Sequence, residues 1–198
     1  MAKNLKGKKI AIVCTDGFEQ VEMTDPRKAL DEAGAQTVLI APRAGKVKAF
    51  MHFDPGDQFK VDMTLDQAKA EDFDAVLLPG GVANPDALRI LPAAQKFVRA
   101  FHDAGKPIAA ICHGPWTLID AGVARGKKMT SWPTLKTDLT NAGAKWVDEE
   151  CVVDNGLVTS RKPDDIPVFN KRFIEEIAEG THERPSKAGS NGAQASMR

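Results

Sequence analysis

The sequence has no excess of charge of either sign. Its 27 lysines and arginines are balanced by 27 aspartates and glutamates, interspersed along 198 residues. That balance excludes a protein held on nucleic acid or on an anionic membrane by charge alone. The short basic clusters Gly7-Lys-Lys9 and Arg125-Gly-Lys-Lys128 each precede an apolar run and read as solvated turns. Cysteine is scarce as well. Three in a chain of this length argue against a disulfide framework and fit a reducing, cytoplasmic compartment. No run of 18 apolar residues occurs, so no membrane span is expected, and Met1–Lys6 lacks the apolar core of a secretion signal.

Several motifs are missing too. No Gly-x-Gly-x-x-Gly or Walker loop follows a strand, and there is no Gly-x-Ser-x-Gly elbow. The four histidines, His52, His102, His113 and His182, lack metal-ligand spacing, and no Cys-x-x-Cys occurs. Neither a cofactor nor a metal is therefore expected.

What is present is an alternation of strands and helices. Short apolar runs at 9–14, 36–41, 74–79 and 108–111 read as strands buried on both faces. Between them, helices are expected at 26–33, with Asp25 as N-cap and Pro26 as the first helical residue, and from Asn84-Pro85 to Gly105. Further helices follow at 115–122, 134–142 and 166–178, with a strand near 128–132. Asp54-Pro-Gly-Asp57 predicts a turn between short antiparallel pieces near 47–50 and 58–61. Asn155-Gly156 predicts a type I′ hairpin over 150–160. The pattern is that of an α/β fold, a doubly wound, mostly parallel sheet with helices on both faces, plus a small C-terminal hairpin. One domain over 1–178 and a disordered tail over 179–198 are expected, with no internal repeat.

In such a sheet the working site lies beyond the carboxyl ends of the strands. Cys112 ends the strand 108–111, and a helix starts at Pro115, so a thiol stands at a sharp turn near the positive end of a helix with His113 beside it. Both neighbours favour the reactive thiolate. His113 is placed to act as a general base or to lend its backbone N–H to an oxyanion. Gly80-Gly81, after another strand, exposes backbone N–H groups suited to the same task. Glu19 has two readings: a capping box with Asp16, or a carboxyl set against the sulfur. Asp86 either complements a helix dipole or orients His113 as a third catalytic member. Trp116 reads as pocket lining, subunit contact or core.

Ala110-Ile-Cys-His-Gly-Pro115, Leu77-Leu-Pro-Gly-Gly81 and Gly17-Phe-Glu-Gln-Val-Glu22 together resemble the PfpI-type intracellular protease family. Asn141–Val147 and Leu157–Asp165 extend the likeness over about residues 8–178. That family lies within the superfamily of Parkinson disease protein 7, with the flavodoxin-like fold of class I glutamine amidotransferases. The resemblance implies that Cys112 is the nucleophile, that Glu19 hydrogen-bonds it, and that Gly81 and His113 supply the oxyanion-hole donors. It also implies a homodimer or higher homo-oligomer in which Asp86, a shorter stand-in for the family's glutamate, approaches His113 from a neighbouring subunit. Glutaminase activity is not expected, because it needs a late His-x-Glu and the only late histidine is His182. The activity implied is that of a cytoplasmic, stress-related cysteine hydrolase, deglycase or glyoxalase acting on dicarbonyls or glycated protein. The alternatives are an intracellular peptidase, or a redox sensor or chaperone working through oxidation of Cys112. The partners implied are a small carbonyl compound or a protein substrate, with no membrane and no specific nucleic acid.

Overall fold

The first element is a strand of five residues, β1 (Lys9–Val13), whose last four residues are all buried. The structure, a computed structural model, describes residues 3–183. From β1 the chain continues through β2 (Phe18–Glu19), α1 (Gln20–Glu32), β3 (Gln36–Ala41), β4 (Lys46–Met51), β5 (Asp54–Lys60) and β6 (Met63–Thr64). Next come β7 (Ala75–Leu78), α2 (Ala83–Arg89), α3 (Pro92–Asp103), β8 (Ile108–Ile111) and α4 (Pro115–Asp120). The last elements are β9 (Lys128–Met129), α5 (Lys136–Asn141), β10 (Lys145–Trp146), β11 (Cys151–Asp154), β12 (Leu157–Ser160) and α6 (Ile166–Glu179).

The main sheet has the order β11-β12-β8-β7-β1-β3-β6, parallel throughout except at β11. Its two faces carry separate apolar clusters. Phe97, Phe101 and Leu118 pack on one, and Met23, Phe169 and Phe173 on the other. This is the doubly wound, flavodoxin-like α/β fold expected from the alternating pattern. Ala94, Phe97, Val98 and Phe101 form the buried stripe of α3, at the spacing that puts four residues on one helical face.

Three local expectations are corrected. α1 starts at Gln20 and carries Pro26 in its interior, where Pro26 had been expected to open the helix. The stretch 84–105 is two helices, not one. Leu91, before Pro92, is extended (ψ 113°), because a proline ring disfavours helical backbone in the residue it follows. The β4–β5 turn falls at His52-Phe53 and not at Asp54–Asp57. Pairing of Met51 with Asp54 and Phe50 with Pro55 zips the hairpin to its tip, and an irregularity between Lys48 and Phe50 absorbs the register. The hairpin at Asn155-Gly156, both with positive φ, forms as expected, and its β12 joins β8 and so extends the main sheet.

The fold also continues past residue 178. α6 runs to Glu179, and His182 donates its backbone N–H to Gly105 O at 2.8 Å. The remainder of the expected tail, 184–198, lies outside the described residues.

Candidate active site

Cys112 is where β8 stops, and its backbone is left-handed, with φ 61°. For a non-glycine residue that costs on the order of 1–3 kcal/mol, so the surroundings must hold it there. They do so on both sides: Cys112 N–H donates to Ser160 O (3.0 Å), and Cys112 O accepts from Trp132 N–H (2.9 Å). The forced turn sends the side chain out of the strand and onto the floor of a cleft of about 400 Å³. Gly114 completes the turn, since a Cβ there would lie 2.5 Å from Leu78 O.

The sulfur is surrounded by four groups. His113 Nδ1 lies 3.2 Å away. The backbone N–H groups of Gly81 and His113 donate to it. The Glu22 carboxyl hydrogen-bonds it from the first turn of α1. Gly80 and Gly81 permit this approach: a Cβ on Gly80 would meet Glu22 Oε2 at 2.5 Å and Cys112 Cβ at 2.7 Å. Gly81, with φ 75°, passes against the backbone of Gly17 and Glu19, where no side chain fits.

The carboxyl on the sulfur is therefore Glu22, and the assignment of that place to Glu19 is corrected. Glu19 lines the same cleft, but its Oε2 accepts the backbone N–H of His52 at 2.9 Å. Three residues along the first helical turn separate the two carboxyls, and only the second points inward. Glu22 is fully buried, with Oε2 accepting from Gly80 N–H at 2.8 Å and Oε1 without a hydrogen-bond partner. The missed signal was the helix start. Taking Pro26 as the first helical residue left Glu22 in a loop. Starting the helix at Gln20 places it one turn from the sulfur.

Burial governs the proton balance. It pushes the Glu22 carboxyl up to about 8, so the group is a neutral hydrogen-bond donor at neutral pH. Burial also pushes the Cys112 thiol well above its ordinary value. Glu22, when ionised, adds to this through its charge and hydrogen bond, while the Gly81 and His113 N–H groups oppose it. The thiolate-favouring environment expected from the helix end is therefore outweighed: α4 has only six residues, and desolvation is the larger effect. Burial lowers His113 to about 4, which leaves a neutral imidazole able to accept the thiol proton.

Two tryptophans hold that imidazole. Trp132 stacks on it (6.0 Å between centroids, 25° between planes), and Trp116 meets it edge-on (5.3 Å, 64°). Trp116 is itself fixed by its indole N–H, which donates to Asp138 at 2.8 Å. Asp86 does not join this group within the chain. It is exposed on α2, and among the described residues no carboxylate bonds or pairs with the His113 ring. His52 and Phe53, at the β4–β5 tip, form the outer wall of the cleft. No group of His, Cys, Asp and Glu that could hold a metal ion occurs among the described residues, and all three cysteines are unpaired.

The chain matches the DJ-1/PfpI family over residues 8–176. It is 45% identical over 167 residues to the Bacillus subtilis protein named "Putative cysteine protease YraA", covering 84% of this chain and 96% of that one. It is 40% identical over 167 residues to the Pyrococcus horikoshii protein named "Deglycase PH1704", covering 84% of this chain and 98% of that one. Among solved structures it resembles Drosophila melanogaster DJ-1beta, with TM-score 0.79 and 33% identity over 86% of this chain and 90% of that one.

Proposed function

The chain belongs to the DJ-1/PfpI family, and from that premise we propose that it is a cysteine-nucleophile enzyme whose Cys112 sulfur attacks an electrophilic carbonyl carbon. The reaction we favour is the deglycase or glyoxalase one, on a dicarbonyl or its adduct on protein, as in the relative named a deglycase. The observation that carries this reading is the convergence on one sulfur of a neutral imidazole nitrogen, two backbone N–H donors and a buried carboxyl.

These groups divide the chemistry between them. As the sulfur–carbon bond forms, the carbonyl π pair moves onto oxygen, and the Gly81 and His113 N–H groups stand ready to receive that charge. The thiol proton passes to His113 Nδ1, which is unprotonated above about pH 4. Neutral Glu22 donates a hydrogen bond to the sulfur and so stabilises the thiolate that the reaction passes through. In this reading Gly81, His113 and Cys112 keep the roles expected of them, with Glu22 in the place assigned to Glu19.

An oligomer belongs to the same proposal. The exposed apolar side chains Val82 and Ile90 flank α2, and a second copy packed there would carry its own Asp86 to the His113 ring. Three unpaired cysteines fit a cytoplasmic setting, and no helix among the described residues is long and apolar enough to cross a membrane.

The test is turnover of methylglyoxal-modified N-acetylated amino acids by the native protein and by Cys112→Ser. Regeneration of the free amino acid by the native protein alone supports the reading. A fluorogenic peptide run in parallel identifies the peptidase if only the peptide is cleaved, and equal activity in Cys112→Ser refutes nucleophilic catalysis.

A further inference from the structure

Trp116 bears on the imidazole of His113 without lining the cleft, so a group that holds Trp116 also holds His113. It stands in the first turn of α4, and Asp120 follows four residues later on the same face of that helix. Arg89, the last residue of α2, reaches both. Its Nε donates to Asp120 Oδ2 at 2.7 Å, and its guanidinium carbon lies 5.4 Å from the centre of the Trp116 ring. The Arg89 side chain is only 26% exposed. A planar, weakly hydrated guanidinium is drawn to an indole face more strongly the drier the contact. The Arg89 backbone is tied down as well, because Gln95 Nε2 on α3 donates to its carbonyl oxygen at 2.6 Å. With its indole N–H given to Asp138 on α5, Trp116 is held at its face by α2 and at its edge by α5.

We propose that Arg89 is a positioning residue for the Cys112 site: with Asp120 it clamps Trp116, and Trp116 keeps the His113 ring turned so that Nδ1 faces the sulfur. The inference rests on the reading of His113 as the group that takes the Cys112 proton. An imidazole can turn about two side-chain bonds, and most of its orientations carry Nδ1 away from the sulfur. Trp132, stacked at 25°, restrains tilting of that ring, and Trp116, set at 64° to it, restrains turning within its plane. Arg89 does not line the cleft, so its effect reaches the chemistry only through Trp116. A loosened ring would meet the reactive geometry less often, which lowers kcat and leaves KM, set elsewhere in the cleft, as it was.

The test compares native protein with Arg89→Gln and Asp120→Asn, which cut the clamp from either end, at the same oligomeric state by sedimentation. Nitrogen-15 NMR of histidine-labelled protein follows the His113 ring without any turnover. The charged or titratable groups about that ring are Cys112 and Glu22 at the sulfur, Glu19 and His52 in the cleft, Arg89 and Asp138 at Trp116, and Asp86 of a second copy. Asp120→Asn leaves every one of them in place, so a shift shared by both variants reports ring freedom and not a lost charge. In both, the His113 midpoint is expected to rise by on the order of one pH unit as the loosened ring meets water. kcat for the methylglyoxal adduct is expected to fall about tenfold at unchanged KM. Arg89→Gln is expected to add nothing to Trp116→Leu, because its route to the imidazole is then gone. A merely structural ion pair would lower Tm with the His113 midpoint unmoved, and that result, or full additivity with Trp116→Leu, overturns the proposal. If the midpoint shifts as stated but native protein turns over no carbonyl substrate, the hydrolase reading fails and the clamp stands.

Discussion

Glu22 and His113 are two buried titratable groups whose protonation responds to burial in opposite senses, and each makes a prediction. The Glu22 carboxyl titrates near 4.5 when unfolded and near 8 when folded. Between those values the native state holds the extra proton, so this group's contribution to stability falls as pH rises across the window. Glu22→Gln removes that dependence while keeping an acceptor for Gly80 N–H. From pH 5 to pH 8 the variant is expected to gain on the native protein by on the order of 2–4 kcal/mol. Urea titrations at both pH values read this, and parallel curves contradict it. His113 behaves in the reverse way: its folded value is lowered to about 4, so it destabilises the fold as pH falls from 6.5 towards 4. For catalysis the consequence is that the acid limb of kcat/KM attributable to His113 lies below about pH 5 and not near 6.5. In Trp132→Ala, which opens the imidazole to water, that limb is expected to move up towards 6.5, a change that a purely structural loss would not produce.

At this scale Cys112, His113 and Gly81 were legible because chemistry and neighbours sit together in a few contiguous residues. Glu22 was not, because a proline inside a helix looks locally like a helix start. The pairing of Trp132 with His113 was not legible either, since the two are 19 positions apart and meet only through the Cys112 carbonyl bond to Trp132 N–H.

At the scale of elements, the site is the meeting of three strand ends, and glycines set how closely they approach. β7 is followed, after Pro79, by Gly80-Gly81, which passes between the β2 segment and Cys112 at the end of β8. Gly81→Ala would push a Cβ into backbone on the β2 side, Glu19 N at 2.7 Å among it, at a φ that already disfavours side chains. The expected cost is roughly 1–3 kcal/mol of stability. The folded fraction should also lose more than tenfold in kcat/KM, because the Gly81 N–H donor moves. Full activity in a folded Gly81→Ala would contradict the account. The strands themselves were readable as apolar runs, but the β4–β5 tip was not. Asp54-Pro-Gly-Asp57 carries the stronger turn composition, yet cross-strand pairing carries the hairpin two residues beyond it and puts His52 and Phe53 over the cleft. Main-chain pairing of this kind depends on the partner strand and leaves no local signature.

At the scale of the molecule, the chemistry lies at the carboxyl end of the sheet while the other end is closed by the chain returning on itself. His182 bonds Gly105 through its backbone, and its ring lies beside Gly156 and 3.1 Å from Glu176. Glu176 is partly buried and its carboxyl is raised by that burial, with His182 the main charge opposing the shift. His182→Ala is therefore expected to lower Tm by about 2–4 °C with kcat/KM unchanged, since one lost interaction of order 1 kcal/mol shifts a chain of this size by that much. A fall in activity at unchanged Tm would show that the two ends of the sheet are coupled. The alternation of strands and helices made the whole sheet legible. The closure was hidden, because a short extended segment rich in polar residues has no periodicity to reveal its docking.

The central claim is that Cys112 is the atom that bonds to substrate, and its most direct test is peptide mass spectrometry on protein quenched in acid during turnover of a methylglyoxal adduct. The account predicts substrate-derived mass on the Cys112 peptide, none on the Cys14 or Cys151 peptides, and none anywhere in Cys112→Ser. Turnover that continues in Cys112→Ser, with no adduct on any cysteine of the native protein, would contradict it.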